Sequence, residues 1–343
     1  MNSLYKKHFL KMQDCTKYEI NQIINLAQVI KKNRNNKQEI KYLKNKKIAL
    51  VFEQESTRTR CSFEVAAFEQ GAQISYLGSG NIHLGYKESL ADTIQVLNRL
   101  YDGIGYRGLQ HNNIKILSHY AKIPIWNALT KKYHPTQLLA DLLTIKEYTV
   151  NKLVSEITLV YVGDASNNIA NTLLELSLII GFKLRLVSPK EYWPKSNIID
   201  KIYKDNKKNF LCTENIQSGV KDADFIYTDV WLSMGDSKKE WDKKIHLLKK
   251  YQINQQLLSY TKNYNVKVLH CLPALHDQNT VISKKISELY NLQDGIEITN
   301  EVFQSNKDII FNQSENKLHT IKSLMILTLN KNIDYISTQL NNL

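Results

Sequence analysis

Ser56-Thr57-Arg58-Thr59-Arg60 sets hydroxyl side chains and two alternating arginines at one strand-to-helix junction. The preceding Lys47-Ile-Ala-Leu-Val-Phe-Glu53 reads as a buried strand. Phe63, Val65, Ala66, Ala67 and Phe68 read as the buried face of the helix that follows. Ser56 and Thr57 are good caps, yet Arg58 and Arg60 bring positive charge to the positive end of a helix dipole. An anion seated among the first backbone N–H groups reverses that penalty, and arginine grips phosphate or carboxylate with a planar fork. One arginine here is a basic surface turn; two in alternation beside hydroxyl caps point to an anion site.

Other strand ends carry compatible chemistry. Arg107-Gly108 follows an apolar run at 103–106, and His134-Pro-Thr-Gln137 follows one at 124–127, with Pro135 suited to the first turn of a helix. Taken singly, Arg107 and His134 read as structural hydrogen-bonding residues. Joined to Arg58 and Arg60, they make a cluster rich in donors and poor in carboxylates, the chemistry of a phosphate ester or acyl phosphate. The second half differs in kind. Gly163-Asp164-Ala-Ser-Asn167-Asn168 lacks the glycines of a dinucleotide-binding turn, which disfavours NAD. Asp229, in Asp229-Val-Trp-Leu-Ser233-Met234-Gly235, and His270-Cys271-Leu272-Pro273-Ala274 end two later apolar runs. An aspartate, paired amides, a hydroxyl and a thiol suit a zwitterionic amino acid, although Asp229 alone reads equally well as a turn or cap.

The elements that must carry these residues alternate between short apolar runs and longer helical patterns, the signature of parallel sheets flanked by helices. Strands are expected at 48–52, 73–77, 103–106 and 124–127, then at 158–162, 183–187, 225–228 and 266–270. Helices are expected at 138–148, 169–180 and 319–339. A length of 343 residues suits two domains, and the polar segment 149–156 marks a boundary. The expected fold is α/β, with two doubly wound domains, residues 1–150 and 151–318. In such sheets ligands bind outside the carboxyl ends of the strands.

Composition narrows the function classes. No apolar run reaches the ~20 residues of a membrane span, and the first ten residues lack a signal peptide's apolar core. Cys15, Cys61, Cys212 and Cys271 have no metal-like or disulfide-framework spacing, so reduced thiols in a cytoplasm are expected. The net charge of +13 raises nucleic-acid binding, but the lysines are dispersed and Lys31-Lys-Asn-Arg-Asn-Asn-Lys37 has no interleaved aromatics. A positive field attracting small anions is the better reading.

Together the motifs closely resemble the ornithine carbamoyltransferases over nearly the whole chain. They are Phe52-Glu-Gln-Glu-Ser-Thr-Arg-Thr-Arg60, Tyr106-Arg-Gly108, His134-Pro-Thr-Gln-Leu-Leu-Ala-Asp141, Asp229-Val-Trp-Leu-Ser-Met-Gly235, His270-Cys-Leu-Pro-Ala274 and His319-Thr-Ile-Lys322. The resemblance implies an N-terminal domain for carbamoyl phosphate, joined by the C-terminal helix from residue 319 on, and a second domain for L-ornithine. It implies homotrimers, sometimes assembled further, with no cofactor, metal, nucleic acid or membrane involved. Ser56, Thr57, Arg58 and Thr59 would hold the phosphate, and Arg107, His134 and Gln137 would reach the carbamoyl group and phosphate. Asn168, Asp229, Ser233 and Met234 would receive ornithine. Cys271 and Leu272 would lie beside the reacting centre, with a cis Leu272-Pro273 bond. Arg58, Arg107, His134, Asp229 and Cys271 are the expected catalytic residues, in either an anabolic direction or that of the arginine deiminase pathway.

Two positions depart from the family pattern. Lys317, in Glu315-Asn316-Lys317-Leu318-His319-Thr320, stands where the family usually carries an arginine that helps hold carbamoyl phosphate. Lysine keeps the charge but loses the two-pronged geometry. His83, in Ile82-His83-Leu84-Gly85, stands where glutamine is usual in a loop expected to reach a neighbouring subunit, and histidine titrates near neutral pH. The expectation is a transferase weakened at its anion site with the fold intact. A catalytically impaired homologue, or a transferase for another amine, remains as the alternative.

Overall fold

The computed structural model describes residues 2–79, 88–149, 152–195, 208–232 and 237–333. The chain divides into two units, Met1–Tyr148 with Ser314–Leu343, and Thr149–Gln313.

In the first unit, β1 (Lys47–Phe52) is buried at every position after Lys47, the pattern of a strand covered on both faces by helices. In chain order this unit contains α1 (Lys17–Asn35), β1, α2 (Thr57–Glu69), β2 (Gln73–Gly78), α3 (Leu90–Leu100), β3 (Gly103–Arg107), α4 (His111–Tyr120), β4 (Ile125–Leu129) and α5 (Pro135–Glu147). The strands run parallel in the order β2-β1-β3-β4. Chain connections leave β1 and β3 in opposite directions across the sheet, so the switch point lies between them, where Phe52 is paired with Arg107. The sequence places the exits of both strands among its candidate residues.

The second unit contains β5 (Thr158–Val162), α6 (Asn168–Ile180), β6 (Lys183–Val187), β7 (Phe210–Thr213), α7 (Ile216–Val220), β8 (Phe225–Thr228), α8 (Lys238–Leu248), α9 (Gln255–Ser259), β9 (Lys267–His270), α10 (Val281–Tyr290) and α11 (Asn300–Ser305). Its parallel sheet has the order β7-β6-β5-β8-β9, with the switch point between β5 and β8. Asp164 follows β5 and Asp229 follows β8. Helix α6 ends on Gly181 at φ +100°, the left-handed cap that glycine adopts without strain.

Two elements depart from the sequence reading. β7 is a fifth strand in the second sheet, absent from the expected set. It has only four residues between polar flanks and alternates buried with exposed positions as an edge strand does. The last helix, α12 (Lys307–Leu329), begins twelve residues before the expected start at 319. Its first turns carry Lys307, Asp308, Asn312 and Gln313 and so lack a continuous apolar signal.

The later part of α12 is built into the first unit. Leu324, Met325, Ile326 and Leu327 are fully buried, and Trp126 Nε1 donates to Thr328 Oγ1 at 3.0 Å. Lys322 is also fully buried and is neutralised by Glu39 at 2.6 Å and by Glu69. Asn316 donates to Thr144 Oγ1 at 2.9 Å and to Glu147 Oε2 at 2.8 Å, and accepts from Lys31 Nζ at 2.8 Å. Removing one partner from such a buried network leaves a desolvated charge, so these contacts fix the register of α12 against α5.

Candidate active site

The N-terminus of α2 is open. Thr16, Ser89, Asn167 and Ser237 each accept a backbone N–H at the start of their helices. Ser56 holds the corresponding position on α2, with extended backbone at φ −161°, and its side chain makes no cap hydrogen bond. No acidic residue lies in the first turn. The N-cap of α5, His134, likewise makes no side-chain cap. Helix starts without side-chain caps leave N–H groups and dipole directed at whatever occupies the strand ends.

The two arginines separate. Residues two apart on an α-helix lie about 200° apart around the axis, so Arg58 and Arg60 take opposite sides of α2. Arg60 Nε donates to Glu64 Oε1 at 2.8 Å, and its guanidinium lies 3.8 Å from the centre of the Tyr76 ring. Arg60 is therefore engaged by Glu64 and by Tyr76 of the edge strand β2, a correction to its place in the anion cluster. Thr57 and Arg58 are exposed at the helix start, while Thr59 is buried.

Lys317 brings the remaining residues together. It is 5% exposed, and its Nζ lies 3.0 Å from Thr59 Oγ1, 3.2 Å from Gln137 Oε1 and 3.4 Å from His134 Nε2. Gln137 in turn donates to Asp141 Oδ1 at 2.9 Å. Burial, then the charges of Lys317 and Arg107, hold the His134 pKa well below that of an ordinary histidine, so the ring is neutral at pH 7. Arg107 ends β3 on the same sheet face as Gly105. A Cβ on Gly105 would lie 2.7 Å from Leu50 Cδ2 and 3.4 Å from the Phe63 ring, so this is the face covered by α2. Thr59, Arg107, His134, Gln137 and Lys317 thus converge on one buried, donor-rich locus; His83 lies outside the described residues.

The second sheet carries the opposite charge at its switch point. Gly163 has φ +121°, and a Cβ there would come within 2.8 Å of Trp231 Nε1, so only glycine makes this turn. The turn presents Asp164, which accepts from Ser166 N at 3.0 Å and Oγ at 2.6 Å and lies 3.4 Å from Lys244 Nζ. Asn167 is used structurally: it caps α6 through Ala170 N at 2.9 Å and donates to the Tyr161 hydroxyl at 2.7 Å. Asn168 stands half-buried in the first turn of α6. Asp229 accepts from Val230 N at 2.9 Å. Its pKa is pushed up to about 7, first by desolvation and then by the charges of Glu297 and Asp164, against the opposing pull of His270 and the Val230 N–H.

Beside Asp229, fully buried His270 bridges two acceptors, Cys271 O at 3.1 Å and Glu297 Oε1 at 3.1 Å. Glu297 also accepts from Leu275 N at 2.5 Å. His270 and Glu297 together fix the backbone on both sides of Cys271-Leu272-Pro273, where Leu272-Pro273 is cis as the resemblance implies. Cys271 is a half-buried free thiol. Ser233 and Met234 lie outside the described residues. The sequence reading gave no role to Asp164, His270 or Glu297. A signal for Glu297 was present in Gly295-Ile-Glu-Ile-Thr299, where a lone carboxylate interrupts an apolar run and so needs a buried partner.

The chain is similar to known proteins over nearly its whole length. Residues 7–147 match the family model described as aspartate/ornithine carbamoyltransferase, carbamoyl-P binding domain, and residues 155–328 match that of its Asp/Orn binding domain. The chain is 56% identical over 338 residues to the ornithine carbamoyltransferase of Buchnera aphidicola subsp. Schizaphis graminum, covering 98% of this chain and all of that one. The ornithine carbamoyltransferase of Pyrococcus furiosus superposes with a TM-score of 0.86 at 31% identity, over 97% of this chain and 100% of that one. The anabolic enzyme of Campylobacter jejuni gives 0.80 at 31% identity, over 98% and 99%. The chain belongs to the aspartate/ornithine carbamoyltransferase family.

Proposed function

We propose that this chain transfers the carbamoyl group of carbamoyl phosphate to the δ-amine of L-ornithine, giving L-citrulline and phosphate, and catalyses the reverse reaction on the same residues. The observation that carries the reading is Lys317, a buried cation within 3.0–3.4 Å of Thr59, Gln137 and His134, with Thr59 in the first turn of α2, whose start carries no side-chain cap.

In this reading Ser56, Thr57, Arg58 and Thr59 hold the phosphate with the first N–H groups of α2. Arg107, His134 and Gln137 receive the carbamoyl group. As the neutral δ-amine attacks, charge builds on the carbonyl oxygen and then on the departing phosphate. Arg58, Arg107 and Lys317 supply fixed positive charge for both, and neutral His134 donates a hydrogen bond without a competing counter-ion. Desolvation makes each of these interactions stronger than in water. Asp229 binds the α-ammonium of ornithine, with Asn168, Ser233 and Met234 around its amino-acid end. Cys271 and Leu272, held by His270 and Glu297, line the reacting centre, and Cys271 takes part in removing the amine proton. His83 adds a donor to the phosphate.

The enzyme is further proposed to work in the cytoplasm as a homotrimer. Four free cysteines and the resemblance support this; sedimentation of the purified chain measures the assembly. The decisive experiment is citrulline formation by purified protein, with ornithine compared against putrescine and aspartate. Turnover with ornithine alone is the expected result. No product from any amine in a folded protein overturns the reading.

A further inference from the structure

Arg107 is held from behind. On the sheet face opposite its side chain, Glu53 Oε1 accepts from the Tyr106 hydroxyl at 2.5 Å and from Asn113 Nδ2 at 3.4 Å, while Oε2 accepts from Leu109 N at 3.4 Å. Tyr106 is fully buried and packs with Ala49, Val51, Ile94 and Ile104. Gly108 completes the arrangement: a Cβ there would lie 2.2 Å from the Tyr106 hydroxyl oxygen and 2.8 Å from Glu53 Oε2. The turn leaving Arg107 can therefore close only because residue 108 has no side chain. Main-chain bonds run in step, with Glu53 N donating to Arg107 O at 2.8 Å and Gly108 N to Leu129 O at 3.0 Å. The β3–β4 register shifts at this point, between Tyr106 and Arg107. The extra residue, Ala128, lies on β4, while Arg107 keeps its partner Phe52 on β1, so the Glu53–Tyr106 pair adds a side-chain tie on the β1 side of a strand end whose β4 side is bulged. Burial and the adjacent carboxylate raise the Tyr106 pKa, so the phenol remains a proton donor across the working range.

We propose that Glu53 and Tyr106 are positioning residues that fix Arg107 for the anion without touching it. Their pairing spans the switch point of the first sheet, because Glu53 follows β1 and Tyr106 precedes the last residue of β3. The same carboxylate therefore sets the spacing between the α2 start and the arginine opposite it. This rests on the reading of Arg107 as an anion ligand.

The test separates positioning from stability and from turnover. Inorganic phosphate binding is measured by calorimetry in wild type, Tyr106→Phe, Glu53→Ala and Glu53→Gln, alongside KM for each substrate and the melting temperature. Tyr106→Phe deletes one oxygen, and Glu53→Ala removes the acceptor altogether. In both, phosphate affinity falls about tenfold, as does KM-derived affinity for carbamoyl phosphate, while KM for ornithine stays within about twofold. Glu53→Gln still accepts the phenol and recovers most of the loss. Unchanged phosphate affinity in Tyr106→Phe, or equal increases in both KM values, overturns the proposal, as does Gln behaving like Ala. If Tyr106→Phe does not fold, the Ala-versus-Gln comparison at Glu53 decides in the same way. A wild type that binds phosphate, weakens in these variants and makes no citrulline leaves the positioning role standing and overturns the transferase reading instead. A wild type that binds no phosphate overturns the positioning role.

Discussion

The ends of the two sheets have the same topology and opposite chemistry. At the β1/β3 switch point, helices start without side-chain caps, Lys317 is buried, and His134 is held neutral first by burial and then by the positive charges around it. At the β5/β8 switch point, desolvation and then the charges of Glu297 and Asp164 raise the pKa of Asp229, while the start of α6 is capped by Asn167. One end gathers donors and positive charge, and the other gathers carboxylates. A fold that places ligands at switch points does not choose their sign. The side chains at strand exits do that, and each end tolerates self-repulsion that its ligand relieves.

The largest test of this contrast is Asp229→Asn. Removing the carboxylate should lower kcat/KM for ornithine by about a thousandfold through loss of a desolvated charge pair. It should also stabilise the protein. A pKa raised from the ordinary 3.8 to about 7 means that the folded chain holds this proton more tightly than the unfolded one. That contribution is complete below 3.8 and is lost as pH rises toward 7. Asparagine removes the penalty, so denaturant unfolding at pH 8 should show a gain of about 2 kcal/mol. A less stable variant would refute the electrostatic account of this end.

Lys317 probes the other end. Lys317→Ala should raise KM for carbamoyl phosphate by about a hundredfold, as loss of a buried charged donor does. Lys317→Arg should restore two-pronged geometry and raise kcat/KM by about tenfold. An equal or lower value for the arginine variant would show that this pocket is fitted to lysine.

A smaller effect follows from pH. Because Asp229 must be ionised to receive an ammonium group and its pKa is about 7, KM for ornithine should rise about fivefold as pH falls from about 7 to 6. KM for carbamoyl phosphate should stay flatter over the same range, since His134 remains neutral there. Matching profiles for the two substrates would dissolve the contrast. The smallest change is expected for Arg60→Ala, with kcat/KM for both substrates within about twofold of wild type, because its partners are Glu64 on α2 and Tyr76 on the edge strand β2.

Most of the scaffold was legible because each buried strand is a short apolar run with polar flanks. β5, β6 and β8 fall where the pattern puts them. β7 was not legible, since an edge strand of four residues needs little apolar signal. The pairing of Arg58 with Arg60 misled for a geometric reason: alternation is the period of a strand, and these residues sit on a helix. Glu297 was missed because its partner, His270, is 27 positions away.

The sequence by itself determined the alternation of strands and helices, the residues at strand exits and the family to which they belong, because these depend on neighbours in the chain. Only the tertiary structure decided which exits share a site. Lys317 is 258 positions from Thr59 and 183 from His134, and only burial against those groups brings the three into one locus. The same distinction separates Arg58 from Arg60. Chain order put them together, and the 100° step of the helix set them on opposite sides of it, with Arg60 against Tyr76.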